Sequence, residues 1–235
     1  TLEDLHPASL MKGIPEAVDL LEQKIGENAY IRIIGDYDID GVCSTYILLR
    51  GLTRAGAEVD TDIPDRKKDG YGLNEDLVKR AYDAGVDTIV TCDNGIAAVK
   101  EIAYAKSLGM TVIITDHHEL QEEIPPADVV VNPHQKDCPY PYKNLCGAGV
   151  AWKLVSALWE QIRVPEQELY EDLLLFAGFA TVGDVMKLQD ENRMIVKYGL
   201  KKLGHTKNLG LKKLAEKTNL DLNSITAYHI GFVIG

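Results

Sequence analysis

Three carboxylate side chains crowd together in one short segment near the start of the chain. Asp36, Asp38 and Asp40 occupy alternate positions in the sequence DYDIDG, directly after an apolar run at 30–35. Like charges on neighbouring side chains raise one another's pKa and repel, so a segment of this kind calls for a compensating cation. Hard divalent metal ions are the usual cations of oxygen-rich protein sites. The spacing therefore predicts a metal site where the apolar run ends.

Two further groups of possible ligands follow apolar runs later in the chain. Asp93 comes after the run at 87–92, and the triplet DHH at 116–118 comes after the run at 110–115. If the runs are strands of one parallel sheet, their carboxyl ends meet at the same edge, where such sheets bind ligands. The acids and histidines are therefore expected to converge.

The donor types narrow the choice of metal. Carboxylates dominate, with one imidazole from either histidine of the triplet: Asp38, Asp40, Asp93, and His117 or His118. A hard set of this kind suits Mn²⁺ or Mg²⁺ and disfavours a structural zinc site built on thiolates. Four or more such ligands can hold two ions about 3.5 to 4 Å apart, as in two-metal hydrolases. Asp184 is a further candidate, because an acid that interrupts an apolar stretch needs a partner.

Each of these residues also has a purely structural interpretation. Asp36 or Asp93, considered alone, fits a turn or a helix N-cap about as well as a metal site. The triplet at 116–118 fits the solvated start of a helix, and Asp184 fits a cap or an ion pair within a helical bundle. Their joint occurrence at successive strand ends is what favours the metal interpretation.

The elements that must position these side chains follow from the hydrophobic pattern. Strand-like runs at about 30–35, 58–63, 87–92, 110–115 and 128–131 alternate with helical stretches at about 42–55, 74–84 and 95–107. Alternation of this kind predicts an α/β fold, a mostly parallel sheet flanked by helices. After residue 145 the pattern becomes helical, at 149–163, 166–181, 191–203 and 209–218.

The helical stretches are either a cap on the sheet or a connector to something further on, and we expect two parts of one domain. Residues 1–145 form an α/β metal-binding core, and residues 146–235 form its helical part. The apolar end of the chain at 229–235 has no polar tail. We therefore expect the sequence to be truncated.

Composition limits the classes of partner. A net charge of −11 over 235 residues argues against nucleic-acid binding by the whole surface, but it leaves room for a local cationic groove or a metal that receives phosphate. The four cysteines form no CxxC pair and predict reduced thiols. No apolar run is long enough to span a bilayer. The expectation is a cytoplasmic protein with no membrane partner.

The ordered motifs resemble those of the DHH phosphoesterase superfamily: Asp38-Ile39-Asp40-Gly41, Asp93, Asp116-His117-His118 and Asp184. Flanking stretches are similar to its RecJ family of single-stranded-DNA-specific 5′→3′ exonucleases, namely IPDR at 63–66, GYGL at 70–73, GAGVA at 147–151 and the terminal segment from 231. The resemblance implies a two-metal enzyme that releases 5′-mononucleotides from single-stranded DNA in DNA repair and recombination. It also implies a following DHHA1-type domain and replication or repair proteins as possible partners.

The resemblance also assigns a role to each motif residue. Asp38 and Asp93 would hold one ion, and the second ion would be held by Asp40, Asp93, His117 and Asp184. His118 would face the scissile phosphate, and Asp36 would orient a ligand or a water. Arg66 would grip substrate phosphate with its planar fork of donors, although a surface arginine is an equal alternative. Ile34 stands where some branches place a histidine, so the first ion would have one protein ligand fewer.

Two rival functions stay open on the sequence. One is another DHH-type phosphodiesterase or phosphatase, acting on oligoribonucleotides, 3′-phosphoadenosine 5′-phosphate, cyclic dinucleotides or pyrophosphate. The other is a non-catalytic DHH-like scaffold in replication. The RecJ-like stretches argue against the first rival, and the intact ligand set argues against the second.

Overall fold

Five short parallel strands form one sheet at the centre of the molecule. They are β1 (Tyr30–Ile34), β2 (Glu58–Asp62), β3 (Thr88–Cys92), β4 (Thr111–Thr115) and β5 (Val129–Val131). This computed structural model describes residues 2–67, 70 and 72–231. The strands lie in the order β2, β1, β3, β4, β5, and every neighbouring pair is parallel. The chain order reverses between β1 and β3, which is where open parallel sheets bind their ligands.

Alternate strand residues enter two apolar cores on opposite faces of the sheet. In β1, Ile31 and Ile33 belong to the larger core and Ile34 to the smaller one. In β3, Val90 belongs to the larger core and Ile89 to the smaller one. Both faces of the sheet are therefore covered, as expected for parallel strands with continuous apolar sequences.

Helices cover both faces. The larger core contains residues of α1 (Ile14–Gly26), α2 (Ile39–Arg54) and α5 (Gly147–Ile162), and the smaller core contains residues of α3 (Glu75–Asp83) and α4 (Val99–Ser107). The remaining helices are α6 (Leu174–Gly183), which follows a π-helical segment at Leu169–Leu173, then α7 (Asp190–Leu200), α8 (Leu209–Thr218) and the short α9 (Ala227–His229). None of the helices among the described residues is long and apolar enough to cross a membrane.

The predicted α/β fold class is confirmed, with differences at helix ends. α2 begins at Ile39 rather than at 42, because Asp38 caps it, and α4 begins at Val99 rather than at 95, after a turn. α7 ends at Leu200, and a 3₁₀ turn follows at Leu203–His205. The pattern missed α1, although Pro15 in its first turn is a recognisable start signal.

The chain before and after residue 145 shares one core. Apolar residues of α1 and α2 lie in the same cluster as those of α5 and α6. A buried ion pair adds to this connection, because Lys153 Nζ of α5 lies 2.6 Å from Glu191 Oε1 of α7 and also donates to the carbonyl of His6. Tyr140 donates its hydroxyl hydrogen to the other oxygen of Glu191. Buried charges need such complete pairing.

Candidate metal centre

The acidic segment after β1 turns directly into α2. Asp38 is the N-cap, and its Oδ1 accepts a hydrogen bond of 2.8 Å from the backbone N–H of Gly41. Helix and loop approach so closely that a methyl group at Gly41 would lie 2.4 Å from the carbonyl oxygen of Asp36. This turn leaves Asp38 exposed and buries Asp40 in the first turn of the helix. Asp38 therefore caps α2, and it also lies at the edge of the sheet where the sequence predicts a metal.

A second helix holds Asp40 from the other side. Its Oδ2 accepts from Gly147 N at 2.6 Å and its Oδ1 accepts from Ala148 N at 2.8 Å, both at the start of α5. The positive end of a helix stabilises a carboxylate in this position. Sequence reasoning missed this contact, and the small-residue run GAGVA was the signal that a close helix approach occurs there.

Asp93, directly after β3, is the buried centre of the site. Its backbone is left-handed, with φ of 59°, and the residue is 1% exposed. Within the described part of the chain, neither carboxylate oxygen has a hydrogen-bond partner. Burial raises the pKa of Asp93 far above its ordinary value, and the negative charges of Asp40 and Asp38 raise it further. A buried carboxyl that accepts no well-formed hydrogen bond and lies among other acids needs either a proton or a cation, so this residue fits a metal ligand.

The DHH triplet is arranged by its first member. Asp116 Oδ1 accepts from the backbone N–H of His117 at 2.7 Å and of His118 at 3.1 Å, and Oδ2 accepts from Ile96 N at 3.0 Å. The same Oδ1 lies 2.7 Å from His118 Nδ1. Burial works to raise the pKa of Asp116, but the hydrogen bond and charge of His118 outweigh it and lower that pKa. Asp116 therefore orients both histidines, a role that the spacing did not assign.

His117 and Asp184 complete the cluster. His117 Nε2 lies 3.1 Å from Asp93 Oδ1, 3.4 Å from Asp40 Oδ2 and 3.8 Å from Asp184 Oδ2. Asp184 reaches this point from the end of α6, and burial, followed by the charge of Asp40, raises its pKa to about 6. Side chains from four separate strand and helix ends therefore meet.

The possible ligands fall into overlapping groups. Among the described residues, three sets each offer ligand atoms within 4.8 Å of one another: Asp36, Asp38 and Asp93; Asp40, His117 and Asp184; and Asp93, His117 and His118. Asp93 and His117 each belong to two of these sets, and of the two only Asp93 carries the pair of oxygens that a bridging carboxylate uses. Asp36 was expected to orient a ligand or a water. Among the described residues its Oδ2 is buried without a hydrogen-bond partner, and Asp36 is itself one of the possible ligands.

Arg66 lies beside this cluster. The residue is exposed, and its guanidinium carbon lies 5.1 Å from the ring centroid of Tyr37, within the acidic segment. The GYGL stretch falls partly outside the described residues, because Tyr71 is not among them, and so does the terminal segment beyond Gly231. Contact of Arg66 with phosphate stays a prediction.

Asn94 connects the carboxyl ends of β1 and β3. Its Nδ2 donates to the carbonyl oxygens of Ile34 at 3.1 Å and Cys92 at 3.0 Å, so one buried side chain ties both strand ends beneath the site. Sequence reasoning did not select it, because an asparagine after Asp93 has no periodicity or charge signal of its own. Only the adjacency of β1 and β3 reveals its role.

The end of α6 carries a strained residue that allows a stability test. Met186 N donates to Thr181 O at 3.1 Å and Val185 N donates to Val182 O at 3.1 Å, which is the Schellman arrangement. Val185 then occupies the left-handed position, with φ of 54° and 85% exposure, where glycine is the usual residue. A β-branched side chain is costly there.

Val185→Gly should therefore stabilise the protein, by about 0.5 to 1 kcal/mol once the greater unfolded-state freedom of glycine is included. Thermal unfolding should show a rise of roughly 1 to 4 °C. Asn219→Gly, at the left-handed C-cap of α8, is the control with a smaller expected gain, because asparagine tolerates this conformation. Equal gains in the two variants would contradict the assignment of strain to Val185.

Comparisons with known proteins agree with this geometry. The family model described as the DHH family, N-terminal domain, matches residues 30–178. The single-stranded-DNA-specific exonuclease RecJ of Bacillus subtilis is 44% identical over 229 residues, which is 97% of this chain and 28% of the relative. A crystal structure of exonuclease RecJ bound to manganese superposes with a TM-score of 0.84 at 35% identity, over 95% of this chain and 56% of that one.

A second solved structure gives the same picture. RecJ from Thermus thermophilus in complex with Mn²⁺ matches with a TM-score of 0.80 at 34% identity, over 95% of this chain and 32% of that one. The chain therefore spans between 28% and 56% of the length of these three proteins.

Proposed function

The chain belongs to the DHH family, and from this premise we propose that it carries the two-metal phosphodiesterase centre of a single-stranded-DNA-specific 5′→3′ exonuclease. One observation carries the proposal: Asp93 is buried, accepts no hydrogen bond of good geometry among the residues described, lies 3.1 Å from His117 Nε2, and belongs to two sets of possible ligands. The names of the similar proteins support single-stranded DNA as the substrate. The 5′→3′ direction of digestion rests on the resemblance to the RecJ family alone.

The ligand set supports two ions, Mn²⁺ or Mg²⁺. We propose that Asp38 and Asp93 hold the first ion, with Asp36 as a neighbouring ligand or the residue that orients a water. The second ion would be held by Asp40, Asp93, His117 and Asp184. These donors are hard oxygens with one imidazole, and two similar RecJ structures contain manganese. Such ions supply Lewis acidity and an activated water for phosphodiester hydrolysis.

His118 and Arg66 act on the substrate in this proposal. Asp116 holds Nδ1 of His118, which turns the opposite ring nitrogen away from Asp116, and the side chain is 45% exposed. The Asp116 hydrogen bond raises the pKa of His118, so its protonated form is favoured and can donate to a phosphate oxygen or give a proton to the leaving 3′-oxygen. Arg66 would contact a phosphate with its guanidinium while stacked on Tyr37.

We also propose that residues 146–235 are the helical part of the same domain. The cluster draws on Asp40 and Asp93 from the α/β core and on Asp184 from α6, and the start of α5 holds Asp40. By resemblance, a second domain would follow in the full protein. The setting would be DNA repair and recombination in the cytoplasm, with replication or repair proteins as partners.

The proposal is tested by nucleotide release from 5′-labelled single-stranded DNA, with Mn²⁺, with Mg²⁺ and after chelation. We expect 5′-mononucleotides with metal and no product after chelation. Parallel reactions contain oligoribonucleotides, 3′-phosphoadenosine 5′-phosphate and cyclic dinucleotides. Faster hydrolysis of one of these would assign the site to another DHH-type activity. Metal binding without hydrolysis of any substrate would overturn the proposed enzyme in favour of a scaffold.

A further inference from the structure

Positive charge is concentrated in one segment of this acidic chain. Between positions 197 and 217 there are seven lysines and one acidic residue, Glu216, whereas the whole chain has a net charge of −11. We call these seven residues the lysine strip: Lys197, Lys201, Lys202, Lys207, Lys212, Lys213 and Lys217. The strip covers the end of α7, the connection to α8, and α8 itself.

The lysine strip is accessible to a charged partner. Six of its members are exposed, and Lys202 is half-buried. Lys197 Nζ and Lys201 Nζ each lie 5.5 Å from the ring centroid of Tyr198. Lys213 forms an exposed pair with Glu216 at 2.7 Å, and an exposed pair of this kind contributes little stability. Lys202 and Lys207 also line a cavity with Glu168, Glu171 and Asp172. The unopposed part of the solvated positive charge therefore lies on Lys197, Lys201, Lys212 and Lys217.

The same helix that carries the strip also lines a groove leading to the metal centre. Leu211 and Leu214 of α8 face Phe176 and Phe179 of α6 across a groove of about 370 Å³. The groove extends to the start of α2, where its walls include Tyr37, Asp38 and Val42. Phe176 and Phe179 form the floor of the groove, at 7% and 4% exposure. The groove thus begins at a proposed metal ligand and ends at α8, the helix that carries Lys212, Lys213 and Lys217.

We propose that the groove and the lysine strip together bind the single strand next to the scissile bond, with bases in the groove and phosphates on the lysines. This inference rests on the proposed function and names the surface that delivers the substrate. Flat bases pack on apolar and aromatic groove walls, and lysines bind phosphates by charge, both without sequence preference. The acidic remainder of the surface repels the strand elsewhere, so the strip directs it toward Asp38.

A strand explains the combination better than an acidic peptide does. An acidic peptide would account for the lysines, but it would not account for an apolar groove that is continuous with Asp38. A single strand has both components, a charged backbone and flat apolar bases, at a fixed separation. Its phosphates are also the groups that the proposed metal centre acts on.

The test of the phosphate contacts removes three exposed lysines of the strip as K207Q/K212Q/K217Q. The matched control, K79Q/K100Q/K136Q, removes three exposed lysines of α3, α4 and the loop before α5. Binding of fluorescent oligothymidylate is measured in EDTA across a salt series. For the strip variant we expect weaker binding by 10-fold or more and a log–log salt slope smaller by about 2, since each phosphate contact on a single strand contributes about 0.7. The control should match the parent.

The test of the base contacts uses one helix. Leu214→Ala trims the groove, and Leu209→Ala trims a 74% exposed leucine of the same helix outside the groove. Oligothymidylate should bind the parent more tightly than an abasic strand does, and Leu214→Ala should shrink that difference while Leu209→Ala leaves it unchanged. Thermal unfolding of each variant checks that folding is retained.

The outcomes separate this inference from the proposed function. If the chain hydrolyses single-stranded DNA but both lysine triples bind oligothymidylate equally, the strand takes another path and the inference is overturned. If polyglutamate competes fully and the strip variant loses only polyglutamate binding, the strip serves an acidic protein segment, which also overturns it. If no DNA is hydrolysed but the strip variant still loses binding, the proposed function fails and the binding surface stands.

Discussion

Replacing Asp93 by asparagine should abolish metal-dependent hydrolysis and, at the same time, raise the thermal stability of the metal-free protein. Asparagine keeps the size of the side chain and removes its charge. The loss of hydrolysis should be about 10³-fold or more, since removal of a single charge-stabilising donor already costs about 10² to 10³ in other active sites. The gain in stability follows because the buried carboxyl accepts no well-formed hydrogen bond among the described residues and is repelled by Asp40 and Asp38.

The pH dependence of stability has a defined sign. The folded-state pKa of Asp93 is raised by burial and by the charges of Asp40 and Asp38, so the metal-free folded protein binds a proton that the unfolded chain releases near pH 4. Stability is then present at low pH and is lost as pH rises above that value. Asp93→Asn should remove the share of this pH-dependent loss of stability that comes from Asp93.

Mn²⁺ should restore the stability that the parent protein loses as pH rises, and should restore far less in Asp93→Asn. Saturating Mn²⁺ at about 100 times its dissociation constant adds about 2.7 kcal/mol to the free energy of unfolding when it binds the folded state alone. Binding should also release protons, because the ligands must be ionised. Thermal scans with and without Mn²⁺, at several pH values, measure both effects. The variant should show a much smaller metal-induced shift than the parent.

Asp87→Asn is the matched control at the other end of the same strand. Asp87 lies directly before β3, is 44% exposed, and its Oδ1 is 2.8 Å from Lys24 Nζ. Its loss should leave hydrolysis unchanged and lower stability by about 1 kcal/mol, because the Asp87 carboxylate is solvated although Lys24 is only 13% exposed. If Asp93→Asn keeps more than a tenth of the parent rate with Mn²⁺, Asp93 does not bridge two ions.

The site could be predicted from the sequence to the extent that it follows from strand ends. Asp38, Asp93 and His117 each come soon after a β-branched run, and parallel strands bring their carboxyl ends to one edge. That argument needs no tertiary knowledge. Asp184 was harder to predict, because it lies at the end of a helix and only its apolar surroundings distinguished it.

Contacts between distant segments could not be predicted in this way. Asp40 is bonded by backbone groups of Gly147 and Ala148, more than a hundred positions away, and no periodicity says which helix start meets which acid. Sequence reasoning did not select the lysines between 197 and 217, and the groove that α8 forms with Asp38 depends on how α8 packs on α6 and α2. Packing of this kind is set by shape complementarity over the whole core.

Gly147→Ala should cost most of the activity through one added methyl group. That methyl would lie 2.7 Å from Cβ and 2.8 Å from Oδ1 of Asp93, closer than any stable contact allows. Asp93 has a left-handed backbone and little room, so either its carboxylate or the start of α5 must move. Overpacking of this type costs about 1 to 3 kcal/mol of stability. A misplacement of about 1 Å costs about 10²-fold in rate.

Gly149→Ala in the same helical turn separates geometry from helix propensity. A methyl at Gly149 would meet the nearest atoms of Leu145 at 3.4 Å, an ordinary contact, and alanine favours helix. Gly149→Ala should therefore keep the parent rate and the parent shift in unfolding temperature with Mn²⁺, while Gly147→Ala loses both. The two variants share their chemistry and helix, so only the distance to Asp93 differs strongly. Equal rates would show that α5 does not set the position of Asp93, and the two parts of the chain would then contribute to the centre independently.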